Sequence, residues 1–173
     1  FFKIVALIRI AVPYTGMIIS TRETEKTREK LLRLGISQVS GGSRTSVGGY
    51  TEEERPHDTE QFDVSDQRTL DEVVAWLMKN NHIPSFCTAC YREGRTGDRF
   101  MSLAKSGNIK YVCEPNALMT LLEFTLDYGD EELYNNALEI INKEVENIER
   151  DDIKSLTKES MEKMKKGQRD FYL

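Results

Sequence analysis

Apolar residues crowd the start of the chain. In FFKIVALIRIAV (1–12) the apolar run is interrupted only at Lys3 and Arg9. Such a segment predicts a mostly buried helix that ends near Pro13 and Gly16. GMIIS (16–20) is a short β-branched run of strand type. ETEKTREKLLRLG (23–35) predicts a charged helix with Leu31, Leu32 and Leu34 turned inward and Gly35 as its stop. ISQVS (36–40) is a second strand. Helix, strand, helix, strand with short connections is the grammar of an α/β protein with parallel strands.

The pattern then changes. Residues 41–61, GGSRTSVGGYTEEERPHDTEQ, hold four glycines, one proline and many polar residues, and read as a long loop. TLDEVVAWLMKN (69–80) is amphipathic at helical spacing, with Leu70, Val73, Val74, Leu77 and Met78 on one face and Trp76 at its edge. Thr69 and Glu72 have the spacing of a capping box. Further on, Pro115 suits the first turn of a helix running to Tyr128, with Gly129 as its stop. A helix over 131–148 would bury Leu133, Ala137, Ile140, Ile141 and Ile148. A last one, over 155–166, ends in Lys163, Lys165 and Lys166, which suit the negative end of its dipole as a solvated terminus. The sequence shows no internal repeat. A boundary falls in the loop near 41–60, between a strand-and-helix part and a mainly helical part.

Composition narrows the class. The chain has 173 residues, 39% apolar and 31% charged, enough for one ordinary core or two small ones. The net charge of −5 argues, though not strongly, against a nucleic-acid binder, since phosphate neutralisation needs a basic surface. No apolar run approaches a membrane span, and the opening segment lacks the basic start and cleavage site of a signal peptide. The chain opens on Phe1 inside an apolar segment, which reads as a piece of a longer protein or as a complete chain trimmed at its start.

The three cysteines all lie in SFCTACYREGRTGDRFMSLAKSGNIKYVC (85–113). Their number and setting point to a reducing, cytoplasmic compartment and to metal or redox use, not to a disulfide framework. Cys87 and Cys90 sit at i and i+3, and Cys113 follows after a gap of 22 residues. Several readings are open. Cys113 alone is ordinary as a small buried apolar residue. A thioredoxin-type pair would leave Cys113 without a role. Zinc would need His57 or His82 as a fourth ligand, and both stand in polar loop sequence. An iron–sulfur cubane fits the odd count best: three thiolates hold it and the fourth iron stays open to an outside ligand. Arg92, Arg95 and Arg99 would offset the charge of such a cluster, and Gly94 and Gly97 would let the backbone approach closely. The plainer reading of these arginines is a solvated turn with salt bridges to Glu93 and Asp98.

CTACYREGRTGDRFM followed by the third cysteine resembles the CX2CX22C motif of the [FeFe]-hydrogenase maturases that are radical S-adenosylmethionine tyrosine lyases. RIAVPYTGMIISTRE, SQVSGGSRTSVGGY, EQFDVSDQRTLDEVV and GQRDFYL resemble successive segments of the same family, so the likeness runs over essentially the whole chain. The resemblance implies an α/β fold: the last strands and helices of a (βα)8 radical-SAM barrel over 1–50, a connecting segment over 51–68, and a mainly helical C-terminal cluster domain over 69–173. It implies a parent enzyme that cleaves tyrosine to p-cresol and dehydroglycine and yields carbon monoxide and cyanide. Cys87, Cys90 and Cys113 would hold an auxiliary [4Fe-4S] cluster with an additional labile iron, where an iron carbonyl–cyanide product is assembled for other hydrogenase maturation proteins. S-adenosylmethionine and a second [4Fe-4S] cluster would belong to an N-terminal part, because the CX3CX2C motif is absent here. The barrel histidine that helps hold the labile iron in the family has no counterpart in His57 or His82.

Arg22, in STRE after the first strand, and Ser40, at the end of the second, match family positions that contact the substrate's carboxylate; a guanidinium can bind a carboxylate bidentately. A structural ion pair with Glu23 is the plainer reading of Arg22. The Gly-rich GGSRTSVGGY lacks the Lys and Ser/Thr ending of a phosphate loop and reads as a loop at the barrel mouth or a plain connection. Asp66 and Arg68 read as capping and ion-pair residues, Trp76 and most methionines as core. Two rivals stand: a thiamine-pathway tyrosine lyase, which shares the barrel ends but not the three-cysteine motif, and a non-catalytic structural metal-binding domain.

Overall fold

The computed structural model describes residues 1–46, 48–50 and 61–173. His57 and most of the expected connecting segment 51–68 lie outside them. The described residues form eight helices and a two-stranded parallel sheet, and the chain divides into two compact units, Phe1–Val73 and Val74–Leu173. A complete (βα)8 barrel is not formed by them.

In the first unit, α1 (Phe2–Ala11) is helical as its sequence predicts, but it is not buried. Val5 is its one buried residue, while Ile4, Leu7 and Ile10 are exposed, so the expected burial does not hold within this chain. Arg9 is more than an interruption of the apolar run. Its Nε and Nη2 donate to the Gly35 carbonyl at 3.0 and 2.7 Å, tying α1 to the end of α2 (Glu25–Arg33). Gly35 is required there: its φ is +94°, and an added Cβ would lie 3.0 Å from the Arg9 side chain. Thr24 caps α2 by accepting from the Thr27 amide at 3.4 Å. The strands β1 (Ile18–Ile19) and β2 (Gln38–Val39) pair in parallel, Ile18 with Gln38 and Ile19 with Val39, and are shorter than the sequence runs suggest. Leu31 and Leu32 supply the buried face of α2.

Helix α3 (Leu70–Lys79) begins with the capping box its sequence encodes: the Thr69 amide donates to Glu72 Oε2 at 2.8 Å, and the Glu72 amide to Thr69 Oγ1 at 3.3 Å. Its buried face is rotated from expectation. Trp76 is buried and Leu70 is exposed, while Val73, Val74 and Met78 are buried as expected.

The core of the second unit is a helical packing. Helix α6 (Lys110–Tyr128) packs against both α7 (Glu131–Asn147) and α8 (Asp151–Lys165). Leu118, Met119, Leu121 and Leu122 meet Leu133, Ala137, Ile141, Val145, Met161 and Met164 in one buried cluster. Asp130 caps α7, accepting from the Leu133 amide at 2.8 Å. Two boundaries differ from the sequence reading. Helix α8 starts at Asp151 rather than 155, with Asp151 and Asp152 complementing its positive end. Helix α6 starts at Lys110, so Pro115 lies inside it and not in its first turn. The proline lies past the first four amides, which have no intrahelical partner, and so leaves the Tyr111 carbonyl without its usual i+4 amide. Gly129 ends α6 in extended conformation for lack of room: an added Cβ would stand 2.7 Å from the Thr125 carbonyl.

Candidate metal centre

The cysteine stretch folds around two helices that the sequence reading did not place, α4 (Ala89–Arg92) and α5 (Gly97–Ser106). Gly94 and Gly97 join them at φ +61° and +52°, the left-handed region that favours glycine. They serve the turn, not a close approach: no atom lies within 4 Å of a Cβ added at Gly97. Cys87 precedes α4, Cys90 lies within it, and Cys113 sits in the opening turns of α6, its amide bonded to the Ile109 carbonyl at 2.8 Å. None forms a disulfide.

The fold brings the three together. Cys113 as a residue is exposed, yet enough protein surrounds its thiol to push its pKa up. The nearby thiols of Cys90 and Cys87 push it further up, and the Arg95 guanidinium pulls it back. Cys87 Sγ accepts from the Ala89 amide at 3.4 Å, the kind of N–H···S contact that orients a thiolate ligand. His82 is half-buried, and its amide bonds the Leu77 carbonyl.

Among the described residues no group of three or more His, Cys, Asp and Glu is placed to hold a single metal ion. A cubane spreads its thiolates over several irons and needs them farther apart than one ion does. Three thiols that act on one another beside a guanidinium are a donor set of the chemistry that a cluster takes.

The arginines between the cysteines do not pair with Glu93 and Asp98 as the plainer reading expected. Arg92 is bidentate to Asp170, with its Nη2 2.8 Å from Oδ2, and stacks over the Tyr172 ring at 4.4 Å. Arg95 donates from its amide to the Cys90 carbonyl at 2.8 Å and from Nη2 to the Leu173 carbonyl at 2.5 Å. Arg99 Nη1 donates to the Glu93 carbonyl at 3.0 Å. Residues 169–173 thus act as a strap across the cysteine stretch. They are held in turn by Arg169 on Asp127 (2.7 Å), the Asp170 amide on Glu123 (2.9 Å) and Leu173 on Asn116. A cavity of about 300 Å³ opens beside Cys87, walled by Phe86, Phe124, Tyr128 and Tyr172. Asp170 and Asn116 were missed by sequence reasoning. A polar Asn116 amid the apolar residues of α6 was the one available signal, and it is fully buried.

In the first unit, Arg22 and Ser40 both follow the C-terminal ends of the parallel strands, on the same edge of the sheet. Arg22 is exposed and stacks on the Phe62 ring at 3.9 Å. Ser40 is fixed by its main chain: its amide donates to the Ile19 carbonyl at 3.0 Å, and its carbonyl accepts from Arg28. Arg28, which the sequence reading did not single out, is buried and pairs with Asp66. Arg68 joins the same carboxylate at 2.6 Å, as the ion-pair reading of Asp66 and Arg68 expected. Burial works against the Asp66 carboxylate, but the Arg68 hydrogen bond and the Arg28 charge outweigh it and hold its pKa below the usual range.

Residues 1–83 match the Biotin and Thiamin Synthesis associated domain, a family description that takes in both strands, Arg22 and Ser40 and stops short of Cys87. The solved structures extend the likeness across the cysteines. A crystal structure of HydG, a maturase of the [FeFe]-hydrogenase, is 48% identical with a TM-score of 0.92, covering 99% of this chain and 37% of that one. HydG from Carboxydothermus hydrogenoformans, an FeFe-hydrogenase maturase, is 35% identical with a TM-score of 0.68, covering 93% and 33%. No curated protein matched. The chain is similar over essentially its whole length to the C-terminal portion of HydG, and spans about a third of those chains.

Proposed function

We propose that this chain is the C-terminal part of a radical S-adenosylmethionine enzyme that matures [FeFe]-hydrogenase, and that Cys87, Cys90 and Cys113 hold its auxiliary [4Fe-4S] cluster. The observation that carries this is the convergence of three unpaired thiols beside Arg95, in a chain whose HydG likeness covers those same residues. When bound, the cluster held by Cys87, Cys90 and Cys113 would supply iron with a position left open to an outside ligand, the chemistry that holding an additional labile iron and building an iron carbonyl–cyanide product would call for. The chain's own residues orient the ligands: the Ala89 amide holds Cys87, and α6 carries Cys113.

In the same proposal the parent cleaves tyrosine to p-cresol and dehydroglycine and yields carbon monoxide and cyanide for other maturation proteins in the cytoplasm. S-adenosylmethionine and the cluster that cleaves it belong to a barrel that β1 and β2 would help complete. The apolar face of α1, exposed here, suits packing against such a barrel. No helix of the described residues is long and apolar enough to cross a membrane.

Arg22 and Ser40, at the sheet edge where barrel enzymes keep their chemistry, would bind the tyrosine carboxylate. Arg22→Ala in the parent is expected to raise KM for tyrosine roughly 30-fold or more, from the ~2–5 kcal/mol that truncating a hydrogen-bonded charge pair costs. An unchanged KM in steady-state assays removes Arg22 from the site.

The thiamine-pathway tyrosine lyase is favoured by the Biotin and Thiamin Synthesis associated match, but that match ends before the cysteines. Anaerobic reconstitution with iron and sulfide decides. A brown protein with iron and inorganic sulfide supports the cluster. A colourless protein that takes up stoichiometric zinc instead makes this a structural metal-binding domain.

A further inference from the structure

Arg95 carries a buried donor that the fold leaves unused. Its amide is fixed on the Cys90 carbonyl and its Nη2 on Leu173, whose main chain is clasped by Asn116 from both sides, at 2.8 and 3.2 Å. With backbone and fork tip both tied, the guanidinium has little freedom. Yet Nε is buried without a hydrogen-bond partner. An orphaned guanidinium N–H is costly unless something anionic completes it. The acceptors at hand are the cysteine sulfurs: the Arg95 amide is bonded to the Cys90 main chain at 2.8 Å, and its charge acts on the Cys113 thiol. Arg92, by contrast, is bidentate to Asp170, and Arg99 is tied to a main-chain carbonyl.

We propose that Arg95 is a positioning residue for the cluster, its Nε–H donating to an anionic sulfur at the Cys87–Cys90–Cys113 triad while Leu173 and Asn116 hold its guanidinium in place. This rests on the cluster reading above. A hydrogen bond and a positive charge at sulfur stabilise the more electron-rich state of an iron–sulfur centre, so Arg95 raises the reduction potential. The strap 169–173 then sets the electronics of the site as well as its shape.

The test is to load the wild-type protein and Arg95→Gln with iron and sulfide and to titrate each redox state by electron paramagnetic resonance. Arg95→Gln is expected to hold the cluster at a more negative potential, and Arg95→Lys, which restores the charge but not the fork, to fall between. Coincident potentials for wild type and Arg95→Gln overturn the role of Arg95 and leave the cluster reading intact. If Arg95→Gln takes up no cluster, the wild-type protein labelled with nitrogen-15 arginine decides. A hyperfine-shifted Arg95 Nε–H resonance on loading supports the proposal, and an unmoved one overturns it. A wild-type protein that takes up no iron and sulfide overturns the cluster reading itself.

Discussion

Arg28→Ala is expected to destabilise the unit formed by residues 1–73 by about 3–5 kcal/mol, the cost of removing one partner from a buried ion pair. Arg28 is fully buried, and it joins two parts of the chain: Asp66, and the carbonyl of Ser40 at the end of β2. Its loss strands the Ser40 carbonyl and leaves Asp66 to Arg68 alone. Arg28→Lys keeps the charge but not the fork that spans both acceptors, so it is expected to recover less than half the loss. Urea unfolding followed by circular dichroism, with hydrogen exchange at the Ile19 and Ser40 amides, reads the effect. Wild-type stability in Arg28→Ala would show that the pair contributes nothing net. The pair also sets a pH dependence. Asp66 has a folded-state pKa below its unfolded value, so the unfolded chain binds more protons as acid is added. The contribution is fully present above about pH 4 and is lost as the pH falls through the lower folded value. Asp66→Asn removes that dependence.

Cys113→Ala is expected to reduce iron and sulfide uptake to background, from about four irons per chain in the wild type. Two thiolates do not retain a cubane. The substitution is clean because Cys113 lies inside α6 with its amide already bonded to Ile109, and alanine is the best helix former. Cys87 is less suited, since its sulfur also accepts from the Ala89 amide. Helicity and melting of the variant should match wild type. Iron and sulfide retained at wild-type level would remove Cys113 from the ligand set.

Elements with local instructions were legible in the sequence. The capping box of α3, the Gly35 stop and the buried stripe Leu133, Ala137, Ile141 of α7 all form as their spacing requires. What sequence reasoning missed depends on partners far along the chain or outside it. The apolar run of α1 predicts burial, but within this chain only Val5 finds cover. Arg28 stands three and four residues before Leu31 and Leu32, hence on their buried face, and that placement was the overlooked signal. Helix α4 is too short to show a period, whereas α5 carries one in Phe100, Met101, Leu103 and Ala104 that the sequence reading passed over. The arginines of the cysteine stretch had plausible acids next door, and nothing local indicates that two of them bond to residues 78 positions on. The cysteines stand out in the sequence by their count and spacing, a signal that needs no periodicity to read.

That separation of 78 residues has a consequence in time. A ribosome adding about 5–20 residues per second makes the strap roughly 4–16 seconds after Arg95. Throughout that interval the three thiols hang in a stretch without its staples. Any metal that the cysteines take up in an ordered site would therefore wait on translation of residues 169–173, and a stalled or truncated chain would present the same cysteines without the frame that arranges them.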